Sequence, residues 1–343
     1  MTSPTDDGRA PAPSDADAIG LGRSGSSAPT FAGVSNPPAP ARLTVGIVSA
    51  GRVGTSLGEA LERAGHVVGA VVARSTGSRL RAADRLPDSE VLDLADVVGR
   101  SELLIISVPD DRLADVVADI AASGALRPRT LVVHTAGAHG IGVLEPLAAL
   151  GALPLAIHPA MTFVGTGDDT RRLAKACFGV TAADEVGFAI ASALVLEMGG
   201  EPVRIAEEDR TLYHAALAHG ANHLVALIAD AVQILNAAID GTGDTSGRDI
   251  ATVDGNSTML AERILAPLVG ASLQNVLELG SRALTGPIAR GDATAVADHL
   301  DAVRALPDGV GDGSIAESYR IMARRAATYT DTPNQVLDVL EAP

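Results

Sequence analysis

The chain has 343 residues, enough for two domains at roughly 150 residues each. With 26 basic against 42 acidic side chains the net charge is −16, which excludes a nucleic-acid or anionic-membrane surface, and aromatics at 2% exclude a base-stacking platform. A single cysteine, Cys177, rules out a disulfide framework, a zinc ribbon and a Cys-ligated iron–sulfur cluster.

Residues 1–40 are rich in Pro, Ser, Ala, Gly and Asp and poor in large apolar side chains, so a disordered tail is expected there. The start shows no basic segment followed by an apolar run, and no stretch of about 20 apolar residues follows elsewhere. A cytoplasmic protein with no membrane partner is the expectation.

From Leu43 an apolar strand runs to Val48, a glycine-bearing turn follows, and a helical period runs from Arg52 to Ala64, closed by Gly65. Val67–Ala73 is too continuously apolar for a half-exposed strand and reads as one buried on both faces of a parallel sheet. Further strands are expected at 90–92, 102–109, 130–134 and 155–158, separated by helical runs at 79–86 and 110–122. Segments 178–181 and 201–205, around a helix at 184–198, extend the same sheet. Beyond Glu207 no strand is expected; helical patterns occupy 207–239, 257–283, 291–305 and 314–330, with 241–247 as a linker. The expected architecture is α/β: a doubly wound, mostly parallel Rossmann sheet over 41–206, then an all-helical substrate and dimerisation domain over 207–343.

Ser49-Ala50-Gly51-Arg52-Val53-Gly54 after the first strand is the dinucleotide fingerprint with serine at its first glycine. Ala50 through Gly54 are expected to hold a pyrophosphate at the helix start. About 20 residues on, where an NAD-binding chain offers a carboxylate to the ribose, this one has Arg74 and Ser75. A cation and a hydroxyl suit a 2′-phosphate, so NADP(H) is expected as cofactor. Val108 and Pro109 form an apolar corner where a nicotinamide would lie, and Asp110 suits the cap of the next helix.

His134 and His158 end predicted strands, at the edge where open α/β sheets bind ligands, and either could orient or protonate a carbonyl oxygen. The equally open alternative for each is a histidine bonded to neighbouring loop backbone. In the helix around residues 213–223, His219 and His223 share a face, but no glutamate follows the first of them and no thiol completes a set, so no metal is expected. Asn222, donor and acceptor in one side chain, is the better candidate for fixing a substrate. Later, Thr285, Gly286 and Arg290 interrupt the helices and are expected to hold a substrate carboxylate, with Asp292 capping the next helix.

Together, residues 47–54, Val108-Pro109-Asp110, His134 to Ala138, His158-Pro159 and Thr285 to Asp292 resemble the bacterial family of Rossmann-like proteins that carry the C-terminal domain of unknown function 2520. The resemblance covers about residues 42–330. More distantly the chain is similar to pyrroline-5-carboxylate reductases and to the β-hydroxyacid dehydrogenases with ketopantoate reductases. It implies an NADP-dependent oxidoreductase, usually a homodimer through the helical domain, acting on a small carbonyl or imine that bears a carboxylate. The hydroxyacid dehydrogenases and ketopantoate reductases carry a Lys-x-x-x-Asn pair; here Ala218 stands four residues before Asn222, and the only lysine is Lys175. That departure leaves a second reading, a non-catalytic, dinucleotide-responsive binding protein. Deazaflavin in place of nicotinamide stays open at this level.

Overall fold

In the computed structural model, residues 42–240, 260–307, 310 and 313–342 are described; the tail expected over 1–40 and the linker expected at 241–247 lie outside them. The first half alternates β1 (Thr44–Val48), α1 (Arg52–Arg63), β2 (Val67–Val72), α2 (Thr76–Arg85), β3 (Glu90–Val91), α3 (Leu94–Arg100), β4 (Leu103–Ile106), α4 (Asp110–Ala122) and β5 (Leu131–His134). A short 3₁₀ turn at Ile141–Leu144 leads into α5 (Glu145–Ala148), β6 (Leu153–Pro159), α6 (Gly167–Leu173), β7 (Cys177–Ala182), α7 (Glu185–Glu197) and β8 (Glu201–Arg204). Only helices follow among the described residues: α8 (Arg210–Asp240), α9 (Leu260–Leu279), α10 (Pro287–Arg290), α11 (Ala293–Arg304), α12 (Ser314–Ala327) and α13 (Asn334–Glu341).

The sheet has eight strands in the order β3-β2-β1-β4-β5-β6-β7-β8, the doubly wound arrangement expected. Every pairing is parallel except β6 with β7. Alternate residues of a strand face opposite sides, and β4 shows the result. Leu103 and Ile105 join one buried cluster with Ile47, Leu61, Phe178 and Val195. Leu104 and Ile106 join the other with Val97, Val117, Ile120 and Leu147. A third, smaller cluster of Val296, Leu300, Ala323, Val336 and Leu340 holds α11, α12 and α13 together.

Two details of this frame place the site. The carboxyl ends of β1, β2, β4, β5 and β6 lie at one edge, with Val48, Ile106 and His134 joined in register and His134 level with Ala156. His158 therefore stands two residues nearer the mouth than His134. The reversed β7 brings its own start to the same edge, so that Gly179 pairs with His158.

Candidate active site

The turn after β1 follows the fingerprint in shape, and its serine carries the strain. Ser49 has φ +83°, a left-handed conformation that glycine adopts freely and other residues adopt at a cost. The turn is pinned from β4, where the Ser107 hydroxyl donates to the Ser49 carbonyl at 2.8 Å. Gly54 is a steric necessity, since a Cβ there would sit 2.4 Å from both the Ser107 hydroxyl and the Ser49 carbonyl oxygen. Gly51 caps α1 with no side-chain acceptor, and no acidic residue stands in the first turn, which leaves the helix start electropositive.

In front of this turn lies a cleft of about 340 Å³, lined by Ser49, Gly51, Arg74, Ser75, Val108 and Pro109 among others. Arg81 and Arg112 also line it, and no carboxylate does. Arg74 has no carboxylate or hydrogen-bond partner among the described residues, and Arg81 keeps a buried, unpartnered Nε. Three arginines gathered in an acidic protein suit a phosphate, whose oxygens accept strong charge-assisted bonds. Ser75 caps α2, its hydroxyl accepting from the Ser78 amide at 3.1 Å, so the start of α2 opens beside the cleft. The sequence reading missed both extra arginines. Arg81 follows Ser75 and Ser78 at three-residue steps along α2, and Arg112 lies in the first turn of α4, so helical periodicity held the signal.

Three expected contacts are corrected here. The Arg52 guanidinium donates to the Phe163 carbonyl at 3.3 Å, on the loop after β6, and Arg52 is not part of the lining of the cleft. Val53 packs on the buried core and Ala50 is fully buried, so each shapes the turn. The strand expected over 102–109 ends at Ile106, which makes Pro109 the cap of α4 and Asp110 its first residue.

Past Pro109 the edge is occupied by histidines. His134 is fully buried; its Nε2 donates to the Gly140 carbonyl at 2.8 Å and its Nδ1 accepts from the Ala136 amide at 3.2 Å. Burial pushes its pKa down to about 4, so the ring is neutral and both nitrogens are spent on the loop. The catalytic role expected for His134 gives way to the alternative of a loop-holding histidine. The same loop continues into the 3₁₀ turn, where the amides of Ile141 and Gly142 donate to the Glu207 carboxylate at 2.7 and 2.9 Å.

His158 is placed differently. Its Nδ1 lies 2.9 Å from the Tyr213 hydroxyl, and among the described residues Nε2 has no hydrogen-bond partner. Its pKa is also pushed down to about 4, first by burial and then by His214 and Arg210, against the pull of Asp110. Tyr213 and His214 meet the His158 ring edge-on at centroid distances of 5.6 and 5.9 Å. Two glycines make this packing possible. A Cβ on Gly137 would fall 2.5 Å from the His214 ring and 3.0 Å from His158 Nε2, and one on Gly179 would fall 2.7 Å from the Tyr213 hydroxyl.

Beneath the pair, Arg210 is 1% exposed, with Nε donating to Thr181 Oγ1 at 2.7 Å and Nη2 to the carbonyls of Ala156 and Gly179 at 3.0 and 3.2 Å. Among the described residues no carboxylate forms an ion pair with it, and Nη1 is buried without a partner. Neither Arg210 nor Tyr213 stood out in the sequence, because nothing local marks an arginine at a helix start as buried.

The helical candidates stand apart from this cluster within one chain. Asn222 is exposed and nine residues beyond Tyr213, two and a half turns, so it faces the opposite side of α8. Thr285 and Gly286 are exposed, and Arg290 donates back to the Thr285 carbonyl at 2.6 Å, closing the turn on itself. That turn packs chiefly on α11 and α12. His219 and His223 contact each other, and no group of three metal-ligating side chains exists among the described residues.

Against this geometry stand the comparisons. Residues 31–159 match the model of a Rossmann-like domain, and residues 176–326 match that of a domain of unknown function, DUF2520. No curated protein matches the chain. Among solved structures, a Bacteroides fragilis protein described as an NADP oxidoreductase is similar with a TM-score of 0.65 at 23% identity, over 84% of this chain and 98% of that one. An Aspergillus terreus reductive aminase, solved with NADPH, is similar at 0.57 and 17% identity, over 84% and 94%. A Myxococcus stipitatus imine reductase, solved with NADP+, is similar at 0.55 and 15% identity, over 87% and 100%. At these identities the likeness speaks for the fold. The chain thus carries a match to a Rossmann-like domain followed by a match to a domain of unknown function 2520.

Proposed function

We propose that this protein is an NADP(H)-dependent oxidoreductase that reduces a small carbonyl or imine bearing a carboxylate. The observation that carries the reading is the adjacency of two features: an arginine-lined cleft whose lining holds no carboxylate, and a neutral histidine with a free Nε2 that feels the charge of Asp110, the residue next to the cleft's Pro109 wall. The cleft fits the cofactor, since Gly51 leaves the backbone open to a pyrophosphate, Gly54 lets the helix pack closely on the strand end behind it, and Arg74, Arg81 and Arg112 supply cations for a 2′-phosphate. Bound there, NADPH would supply a hydride. The chain's own task is to position the acceptor and to deliver a proton to its heteroatom, and His158 is the donor best placed to do so.

The helical region bears on the assembly. α8 is the one described helix long and apolar enough to cross a membrane, and none of its apolar window is buried. A bilayer is a poor partner for it, because it starts at the buried Arg210, carries Asp230 bonded to Ser318 of α12, and presents His219, Asn222 and His223 to the outside. A second copy of the chain covering α8 and α9 fits better. In that homodimer the Thr285–Arg290 turn of one copy would meet the substrate carboxylate in the other.

The test is a panel of 2-keto acids and cyclic imines offered with NADPH. Consumption of NADPH, lost by about 10²- to 10⁴-fold in His158→Ala while nucleotide binding persists, is the expected result. The missing lysine partner of Asn222 favours a second reading, a dinucleotide-responsive binding protein, and tight NADPH binding with no consumption across the panel would decide for it. Binding of neither nucleotide would end both.

A further inference from the structure

His158 faces a difficulty of charge balance if it is to give a proton from Nε2. Burial, the His214 ring and the Arg210 cation all oppose its imidazolium form, and Asp110 alone favours it. A neutral imidazole that loses its Nε2 proton becomes an imidazolate, a very strong base, unless Nδ1 gains a proton in the same event. The structure provides a group at Nδ1, the Tyr213 hydroxyl at 2.9 Å.

The hydroxyl's own surroundings decide its direction. The hydrogen-bond partner of the Tyr213 hydroxyl is His158 Nδ1, so the phenolic proton is free to point at it. The Arg210 guanidinium lies 5.8 Å from the Tyr213 ring centroid and is fixed by Thr181 and two strand carbonyls. It has no ion-pair partner among the described residues, and the Glu207 carboxylate acts on it only from a distance. Burial pushes the Tyr213 pKa up and keeps the hydroxyl protonated at rest, and the Arg210 charge works against that shift when a phenolate forms.

Resting on the reductase reading above, we propose that Tyr213 is the positioning residue of a two-proton relay through His158. Its hydroxyl donates to Nδ1, which fixes the ring as the Nε2–H tautomer. As hydride reaches the acceptor carbon, the Nε2 proton passes to the acceptor oxygen or nitrogen, and the Tyr213 proton passes to Nδ1. The imidazole ends neutral in the opposite tautomer. The transient phenolate, beside the Arg210 cation, takes its proton back from Nδ1 as Nε2 takes one from a water that leaves as hydroxide, which restores the resting tautomer. Gly179 and Gly137 belong to the device, since side chains there would strike the Tyr213 hydroxyl and His158 Nε2 respectively.

The deciding measurement needs no substrate. Long-range proton–nitrogen correlation spectra of the ¹⁵N-histidine-labelled full chain at neutral pH report each ring's tautomer, with His158 assigned by its loss in His158→Gln. The expected result is Nε2–H alone in the unmodified protein and a mixture with Nδ1–H in Tyr213→Phe, which keeps the ring but not the donor. Gly179→Ala, which displaces the hydroxyl, should produce the same mixture. A His158 carrying its proton on Nδ1, or one unchanged in Tyr213→Phe, overturns the proposal even if NADPH is bound and consumed. With a consumed substrate, Tyr213→Phe should lower kcat at least tenfold at unchanged NADPH affinity, and an unchanged kcat overturns the resupply step. If nothing is consumed, the reductase reading fails while the tautomer result still decides the hydrogen bond.

Discussion

The sheet and the two long helices are made of similar residues and treat them in opposite ways. Ile47, Leu104 and Val132 are fully buried by their own chain. On α8 and α9, Val225, Leu268 and Leu277 are 68%, 62% and 79% exposed, and Ala261 is the one buried residue of α9. A parallel sheet gains its cover from the crossover helices that connect it, whereas a long helix after the last strand has no such built-in neighbour. The arginine-lined cleft is therefore formed on the covered sheet, whereas α8 and α9 leave their apolar side chains exposed within one chain.

The strongest way to break this comparison is through the exposed face. Leu268→Asp combined with Leu277→Asp should convert a dimer to a monomer in sedimentation velocity, with the sheet's circular dichroism unchanged. A wild-type monomer at micromolar concentration would remove the contrast altogether.

Acid probes the sheet half alone. His134 is fully buried with a pKa near 4 in place of 6.5. A base depressed in the folded state binds protons more readily when unfolded, so stability is full above about pH 6.5 and falls as pH drops toward 4. At about 1.4 kcal/mol per pKa unit, the loss from this residue is on the order of 3 kcal/mol. Thermal melts across that range should show the decline in the dimer and in the double-aspartate monomer alike; a decline confined to one would place it at the interface.

Cofactor choice sharpens the same point. Arg74→Ala should weaken NADPH by about 1.5–3 kcal/mol in calorimetry and leave NADH nearly unchanged, because only the 2′-phosphate is lost as a partner. Arg81→Ala and Arg112→Ala should each act in the same direction, and equal losses for both nucleotides would remove the arginines from that role. The smallest effect belongs to Ser49→Gly. Relief of its left-handed backbone should raise stability by about 1 kcal/mol in denaturant titration, and a loss would mean that the serine side chain holds the turn.

Much of the sheet was legible because buried parallel strands are written as unbroken apolar runs, such as Val67 to Ala73. The reversal of β7 was not, since direction depends on the path of a connection rather than on strand composition. The short α3 and the terminal α13, which starts after Pro333, escaped for want of enough turns to show a period. In the site, the fingerprint and Arg74 were readable from local spacing. The difference between His134 and His158 was not, because two rungs of strand register separate a ring spent on its loop from one at the mouth. Arg210 and Tyr213 acquire their meaning only from three strands that are distant in sequence.

Glu207 adds a mechanical consequence. Its carboxylate grips two amides of the 3₁₀ turn three residues before α8 begins, and that turn adjoins the loop stapled by His134. The foot of the long helix and the floor beneath Gly137 are thereby clamped together. A tilt of α8 at that end would have to stretch those two hydrogen bonds or carry the floor with it. A partner seated on the helix would reach the pocket through that clamp, and Glu207→Gln would loosen it.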